Sequence, residues 1–473
     1  MEFQAVILAG GRGSRMYPLT ENIPKALLPV ANKPLIWYPV KYLETAGFPE
    51  AIVIVSKANA QTIGSVLEEF RVMHDVKMTF VLVETAGDEW GTADALRAVK
   101  SKIKSDLLLL SCDLVTNIPL HLLADVYRTY NSTAAILLTP EPDIQEQDAS
   151  KKSKPCHVDG DIIGLNETSQ LLFFCSEADL ADNLTLSRGM LKKNPHIQFH
   201  TDLIDGHLYL VKKWVLDYVF QNKNISSIKE ELIPQLVKGQ FQSAHMIPKP
   251  HPYTELMDSS FLTTPAMPPE KQSSHPVVNM TELAADSHDM LDQLALQMSS
   301  GNLNGAEDHV ISCHAHIASS DSLCIRVNTI DSYKQVNKSL SMPCYASTLY
   351  PPTDTTLPQP QQQQQPARGR GTVSSDSLVG QFVSTKDKVS IKHSVVHSHS
   401  MIGEKSRLLL CVVMDHVKIG DNCNIQNTII CSEAYIEDNV TLKDCIVGFH
   451  CTVPRGTDAK GETFVRESEE MNL

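Results

Sequence analysis

The sequence predicts two units of different class: an N-terminal α/β unit on a mostly parallel, doubly wound sheet, and a C-terminal left-handed parallel β-helix. Three observations carry this. Short apolar runs alternate with segments of helical period from residue 4 to about 140, a glycine-rich turn follows the first run, and the C-terminal region repeats every 17 positions.

The apolar runs at 4–8, 51–55, 78–83, 106–110 and 133–138 read as buried strands, and 34–46, 61–72, 92–100 and 119–130 between them as helices. Strict alternation implies parallel strands joined by helical crossovers, with any ligand site at the carboxyl ends of the strands. Residues 156–250 read as a continuation, with a strand at 206–211 and a helix at 228–237, so the first unit is expected to span 1–250.

Residues 251–372 are expected to be mostly flexible linker. Pro, Ser, Met and acidic residues dominate to about 310, and a Pro and Gln tract fills 351–366. Such composition cannot bury a core. Apolar residues return between His309 and Tyr333, where partial order is expected. Arg368-Gly369-Arg370-Gly371 could touch RNA, but two arginines are few, and solvated linker is the preferred reading.

The second unit is expected over 373–456, followed by a tail at 457–473. Ile402, Ile419, Ile436 and Val453 form one series at a spacing of 17; Leu408, Ile425 and Leu442 form a second; Val413, Ile430 and Val447 form a third. The steps of 6, 5 and 6 between series suit a three-sided parallel coil. Extrapolation backwards puts Ile391, Val396 and Val379 on the same faces. A sandwich of short strands is the weaker alternative. Stacked coils bury their apolar faces only against each other, and the open ends need capping or a partner.

The totals limit the function. With 41 Lys and Arg against 55 Asp and Glu among 473 residues, the net charge is −14, which disfavours a broad phosphate-backbone surface, so no direct nucleic acid partner is expected. No secretory signal and no membrane span are expected, since the N-terminus lacks the basic and long apolar regions and no apolar run nears ~20 residues. Eleven scattered cysteines without a C-x-x-C pair suggest reduced thiols, hence a cytosolic setting.

After the first strand comes Leu8-Ala9-Gly10-Gly11-Arg12-Gly13-Ser14-Arg15-Met16, then Pro24-Lys25, Leu27-Leu28-Pro29-Val30 and Asn32-Lys33-Pro34-Leu35. It is neither a Walker loop nor G-x-G-x-x-G. The stretch resembles the signature of the sugar-1-phosphate nucleotidyltransferases. That resemblance implies a nucleotidyltransferase-like sheet in which the backbone amides of Gly10, Gly11 and Gly13 line a phosphate path, with Arg15 and Lys25 as cations. It also implies a second nucleotide-contacting loop at Gly91, Thr92 and Asp94, and a magnesium-binding carboxylate at Asp113.

Other parts of that family's pattern are missing. None of Trp37, Trp90 and Trp214 has Asp two residues later, and no Glu-Lys-Pro holds a sugar phosphate. The expected Asn-Ala-Gly reads Ile204-Asp205-Gly206. Two-metal assistance needs both carboxylates, so turnover should be severely impaired. Three readings of the Gly10 to Arg15 loop remain open: structural scaffold, a nucleotide or sugar-nucleotide pocket without turnover, and an active enzyme similar to GDP-mannose pyrophosphorylase.

Taken with the hexapeptide coil, the chain resembles the gamma-subunit family of eukaryotic translation initiation factor 2B. The match rests on residues 1–15, Asn32-Lys33-Pro34-Leu35-Ile36-Trp37-Tyr38-Pro39, Leu110-Ser111-Cys112-Asp113-Leu114 and Glu231-Leu232-Ile233-Pro234. It implies a non-catalytic subunit of the complex that exchanges GDP for GTP on initiation factor 2. The implied partners are the catalytic epsilon subunit, the alpha, beta and delta subunits, and initiation factor 2. No cofactor is required on this reading, although residual nucleotide or sugar nucleotide with Mg is compatible with it; the exchange domain is expected to lie on epsilon, with none expected after residue 453 here. His393, His397 and His399 are read as solvated coil histidines rather than metal ligands. Cys411, Cys423, Cys431, Cys445 and Cys451 are read as small buried hydrophobes.

Overall fold

The computed structural model describes residues 2–73, 78–85, 90–140, 160–176, 186–241, 311–342 and 372–466. Seven strands form the N-terminal sheet, in the order Cys313–Ile317, Ala134–Pro140, Leu203–Val211, Asp106–Ser111, Phe3–Ala9, Glu50–Ser56, Thr79–Thr85. The sheet is mixed, because Leu203–Val211 runs antiparallel to both of its neighbours while the other pairings are parallel. Alternation along the first strand shows why both faces are covered. Phe3, Ala5, Ile7 and Ala9 enter one core, and Val6 enters the other.

Helices Trp37–Thr45, Ala60–Met73 and Leu120–Thr129 supply Val40, Leu43, Ile63, Leu67, Leu123 and Tyr127 to the first core. Helices Thr92–Val99 and Lys213–Gln221, with the turn-and-helix 228–239, close the opposite face through Leu96, Val219 and Leu236. A separate antiparallel sheet of Leu171–Ser176, Asp161–Leu165 and Gln198–His200 lies within the continuation, whose only expected strand is at 206–211.

Within the span expected as mostly linker over 251–372, with partial order expected at 309–333, residues 311–342 form regular elements that run past that expected end. Cys313–Ile317 adds to the main sheet in parallel register beside Ala134–Pro140. Its sequence, CHAHI, is short and histidine-bearing, so it carries little strand signal, yet Cys313 and Ala315 are buried in the sheet's core. Cys324–Arg326 then pairs with Leu114–Thr116, and helix Ile330–Ser341 follows. That helix starts on a reciprocal cap: Thr329 Oγ1 accepts from the Ser332 amide at 3.2 Å, and Ser332 Oγ accepts from the Thr329 amide at 3.0 Å. The remaining linker residues, including the Pro and Gln tract, lie outside the described residues.

The C-terminal unit is the expected left-handed β-helix, with strands from Thr372–Val373 to Thr463–Phe464, so it extends two strands beyond the expected end at 456. Three parallel sheets form its sides, and the pairings Leu408↔Ile425↔Leu442, Val413↔Ile430↔Val447 and Ile402↔Ile419↔Ile436↔Val453 reproduce the 17-residue register. Ile391, Val396 and Val379 take the extrapolated places.

Corners repeat with the same period. His399, His416, Glu433 and His450 form one column of positive φ; Lys405, Asn422, Asn439 and Gly456 form another; Leu410, Asn427, Asp444 and Gly461 form the third. Each corner must enter the left-handed region to turn the chain, which is why Asn, Asp, His and Gly collect there. The pairs Ile402-Gly403 and Ile419-Gly420, at equivalent places in successive coils, have a steric cause. A Cβ on Gly420 would lie 2.6 Å from Asp438 Oδ1, the atom that accepts from the Asp421 amide at 2.8 Å.

Inside, the cysteines also hydrogen-bond. Cys411 Sγ donates towards the carbonyls of Leu409 at 3.2 Å and Ile425 at 3.3 Å, while its amide donates to Ser394 Oγ at 3.0 Å. The histidine reading needs one correction: His397 is buried, whereas His393 and His399 are exposed corner residues. The corner between 397 and 399 breaks the strand alternation on which a shared face depended.

One outer face of the β-helix is apolar. Val413 and Ile430 point inward, but their neighbours Val412 and Ile429 join the core of the N-terminal unit with Met414, Cys431 and Phe449, the same core that takes Tyr333, Val336 and Leu340.

Candidate functional site

The glycine loop leaves the carboxyl end of the first strand, as the parallel topology requires of a ligand site. Gly10, Gly11 and Arg15 are exposed. Gly13 has φ 71° and precedes the single turn Ser14–Met16. A Cβ there would lie 2.9 Å from Thr20 Cγ2 and 3.1 Å from Lys25 Cβ, and Thr20 Oγ1 donates to the Gly13 carbonyl at 2.9 Å. Glycine at 13 is thus demanded by the turn itself.

Lys25, on the turn Lys25–Leu27, ion-pairs with Asp113 Oδ2, and Asp113 stands just beyond strand Asp106–Ser111. Arg326 comes from the stretch expected to be only partly ordered, 213 positions later in sequence, and its Nε lies 3.4 Å from the same oxygen. The Val327 amide donates to the Asp113 carbonyl at 2.8 Å. Burial alone would push the Asp113 carboxyl up, but Lys25 and Arg326 together hold it well below the usual carboxylate range.

Behind this pair lies a network that the sequence reading missed. Leu203–Val211 bulges between Asp205 and Tyr209, with His207 at φ 53°. Asp205 accepts from the His207 amide at 2.8 Å and from the Tyr209 hydroxyl. Asp161 Oδ2 accepts from the Asp205 amide at 3.2 Å, and Lys229 Nζ is 2.9 Å from Asp161 Oδ1. Burial, followed by the field of Arg326, holds the His207 imidazole neutral, well below its ordinary range. Three carboxylates, Asp113, Asp161 and Asp205, therefore meet three cations, Lys25, Lys229 and Arg326. Only the Ile204-Asp205-Gly206 departure marked this region in the sequence. Nothing in the one-dimensional pattern pointed to Arg326.

Magnesium does not fit this arrangement. Asp113 Oδ1 lacks a partner, but Oδ2 is already neutralised by two cations that would repel a divalent ion. Asp205, the nearest further carboxylate in the network, is engaged by Tyr209 and the His207 amide.

Gly91, Thr92 and Asp94 are occupied by the chain's own backbone. A Cβ on Gly91 would lie 2.1 Å from the Ser226 carbonyl oxygen, which accepts from the Ala93 amide at 2.8 Å. Thr92 Oγ1 accepts from the Ile228 amide at 2.8 Å, and Asp94 accepts from the Gly91 amide at 3.1 Å while pairing with Arg97. The close approach that small residues permit is used here by residues 226–228 at the helix N-terminus. Of the expected site residues, the structure joins Lys25 to Asp113 beside the Gly13 turn.

A family model described as nucleotidyl transferase matches residues 4–146, and one described as the EIF2B subunit epsilon LbH domain matches residues 361–459. The translation initiation factor eIF2B subunit gamma of Schizosaccharomyces pombe is 30% identical, over 83% of this chain and 74% of its own. That of Dictyostelium discoideum is 27% identical over 85% and 88%. A mannose-1-phosphate guanyltransferase of Debaryomyces hansenii is 26% identical but spans 48% of this chain and 59% of its own. With a sheet, a β-helix and a likeness over most of both chains in agreement, the chain belongs to the family of eIF2B gamma subunits.

Proposed function

We propose that the chain is a non-catalytic structural and regulatory subunit of the initiation factor 2B complex, which exchanges GDP for GTP on initiation factor 2 in the cytosol. Its partners on this reading are the catalytic epsilon subunit, the alpha, beta and delta subunits, and initiation factor 2. Family membership supports the setting. The observation that carries the absence of catalysis is the Asp113 carboxylate held by both Lys25 and Arg326, where turnover would need it for a metal. No cofactor is required. No helix among the described residues is long and apolar enough to cross a membrane. The exposed Gly10 to Arg15 loop favours a second reading, retained binding of a nucleotide or sugar nucleotide without turnover.

Affinity purification of the tagged chain from cytosol tests the assignment. It should recover the other subunits, and the complex, not the isolated chain, should release GDP from initiation factor 2. A chain that purifies alone or with glycosylation enzymes, or that catalyses exchange in isolation, would overturn the reading.

A further inference from the structure

We propose that residues 323–341 form a latch tying the seating of the β-helix to the ion pair at Asp113. One end is stitched to the strand that follows Asp113. Leu323 and Asn117 exchange hydrogen bonds of 2.9 and 3.0 Å, Cys324–Arg326 pairs with Leu114–Thr116, and Arg326 reaches Asp113. The capped helix Ile330–Ser341 begins four residues after Arg326, leaving little slack between the two.

The helix buries Tyr333, Val336, Asn337 and Leu340, the i, i+3, i+4 and i+7 positions of one stripe, each at 0% exposure. Towards the N-terminal unit, the Tyr333 hydroxyl donates to the Pro29 carbonyl at 2.6 Å, and Asn337 Oδ1 accepts from the Ala31 amide at 3.0 Å. Asn337 Nδ2 also donates to the Tyr333 carbonyl at 2.9 Å, which fixes the amide's orientation. The same helix shares its core with Val412, Met414, Ile429, Cys431 and Phe449 of the β-helix.

Both cations on Asp113 therefore sit on segments that this helix grips. Lys25 lies four residues before Pro29, and Arg326 four before Ile330. A packed helix moves as a unit, so a shift of the β-helix against Tyr333 and Val336 is transmitted to both. By reciprocity, anything that pulls Arg326 from Asp113 loosens the β-helix by the same free energy. This goes beyond the reading above, since such coupling holds whether or not the pocket turns over a substrate.

Amide hydrogen exchange on the full chain tests it. Ile429→Ala, on the β-helix side, should speed exchange at 325–327 at least tenfold while 107–110 stay protected. Arg326→Ala should speed exchange at 333–340 in the same way. If Ile429→Ala fails to fold, the Arg326→Ala arm decides alone. Unchanged exchange at the far end of the latch would overturn the proposal. So would a uniform acceleration that includes 107–110, because the effect would then be general destabilisation.

Discussion

Lys25 and Asp113, 88 positions apart in sequence, form a largely buried ion pair whose carboxylate is shared with Arg326. Removing one member of such a pair leaves uncompensated charge inside the protein. Asp113→Asn should therefore destabilise the N-terminal unit by about 3 kcal/mol, since it strands two cations. Trp37, Trp90 and Trp214 all lie in that unit, so fluorescence-monitored urea unfolding reads the loss directly. A change below about 1 kcal/mol would show the pair to be solvent-screened.

The same pair bears on catalysis. Purified protein incubated with Mg²⁺, nucleoside triphosphates and hexose 1-phosphates should release no pyrophosphate above a Lys25→Ala control. Lys25-dependent release would establish turnover and restore the mannose-1-phosphate guanyltransferase comparison as a guide to activity.

Acid should weaken the fold through buried neutral histidines. Burial lowers His314 to about 4 and His397 to about 3. Unfolded imidazoles, near 6.5, bind protons that the folded ones refuse, so stability falls as pH drops below about 6.5. At pH 5 the loss is about 2 kcal/mol for each histidine. Asp113 acts lower on the scale: its folded carboxyl is depressed, so its contribution is full above about pH 4 and lost below. Thermal melts at pH 7 and 5 should separate by less in a His314→Gln, His397→Leu double variant than in the unaltered chain.

Ile425 is fully buried in the β-helix core, and Gln426 beside it is partly exposed. Ile425→Asp should cost about 3 kcal/mol or more, and Gln426→Asp less than about 1. Circular dichroism melts would show the difference, with the tryptophans of the other unit as an internal reference. Equal effects would displace the 17-residue register by one.

The sequence alone determined what is local or periodic: the alternating runs of the first sheet, the glycine-rich turn after its first strand, and the 17-residue coil. Those features arise from backbone sterics and apolar period, which a linear pattern records. Tertiary structure decided the rest. Cys313–Ile317 becomes an edge strand because the main sheet offers Ala134–Pro140 as a template, not because CHAHI favours a strand. Val412 and Ile429 face outward and are still buried, because they join the core of the N-terminal unit, to which helix Ile330–Ser341 also contributes. Gly91 packs against Ser226, and Asp113 is neutralised by Arg326, through contacts spanning more than a hundred positions. A charge or a small residue acquires its role only from what the fold places beside it, and that neighbour is not written in the residue's own segment.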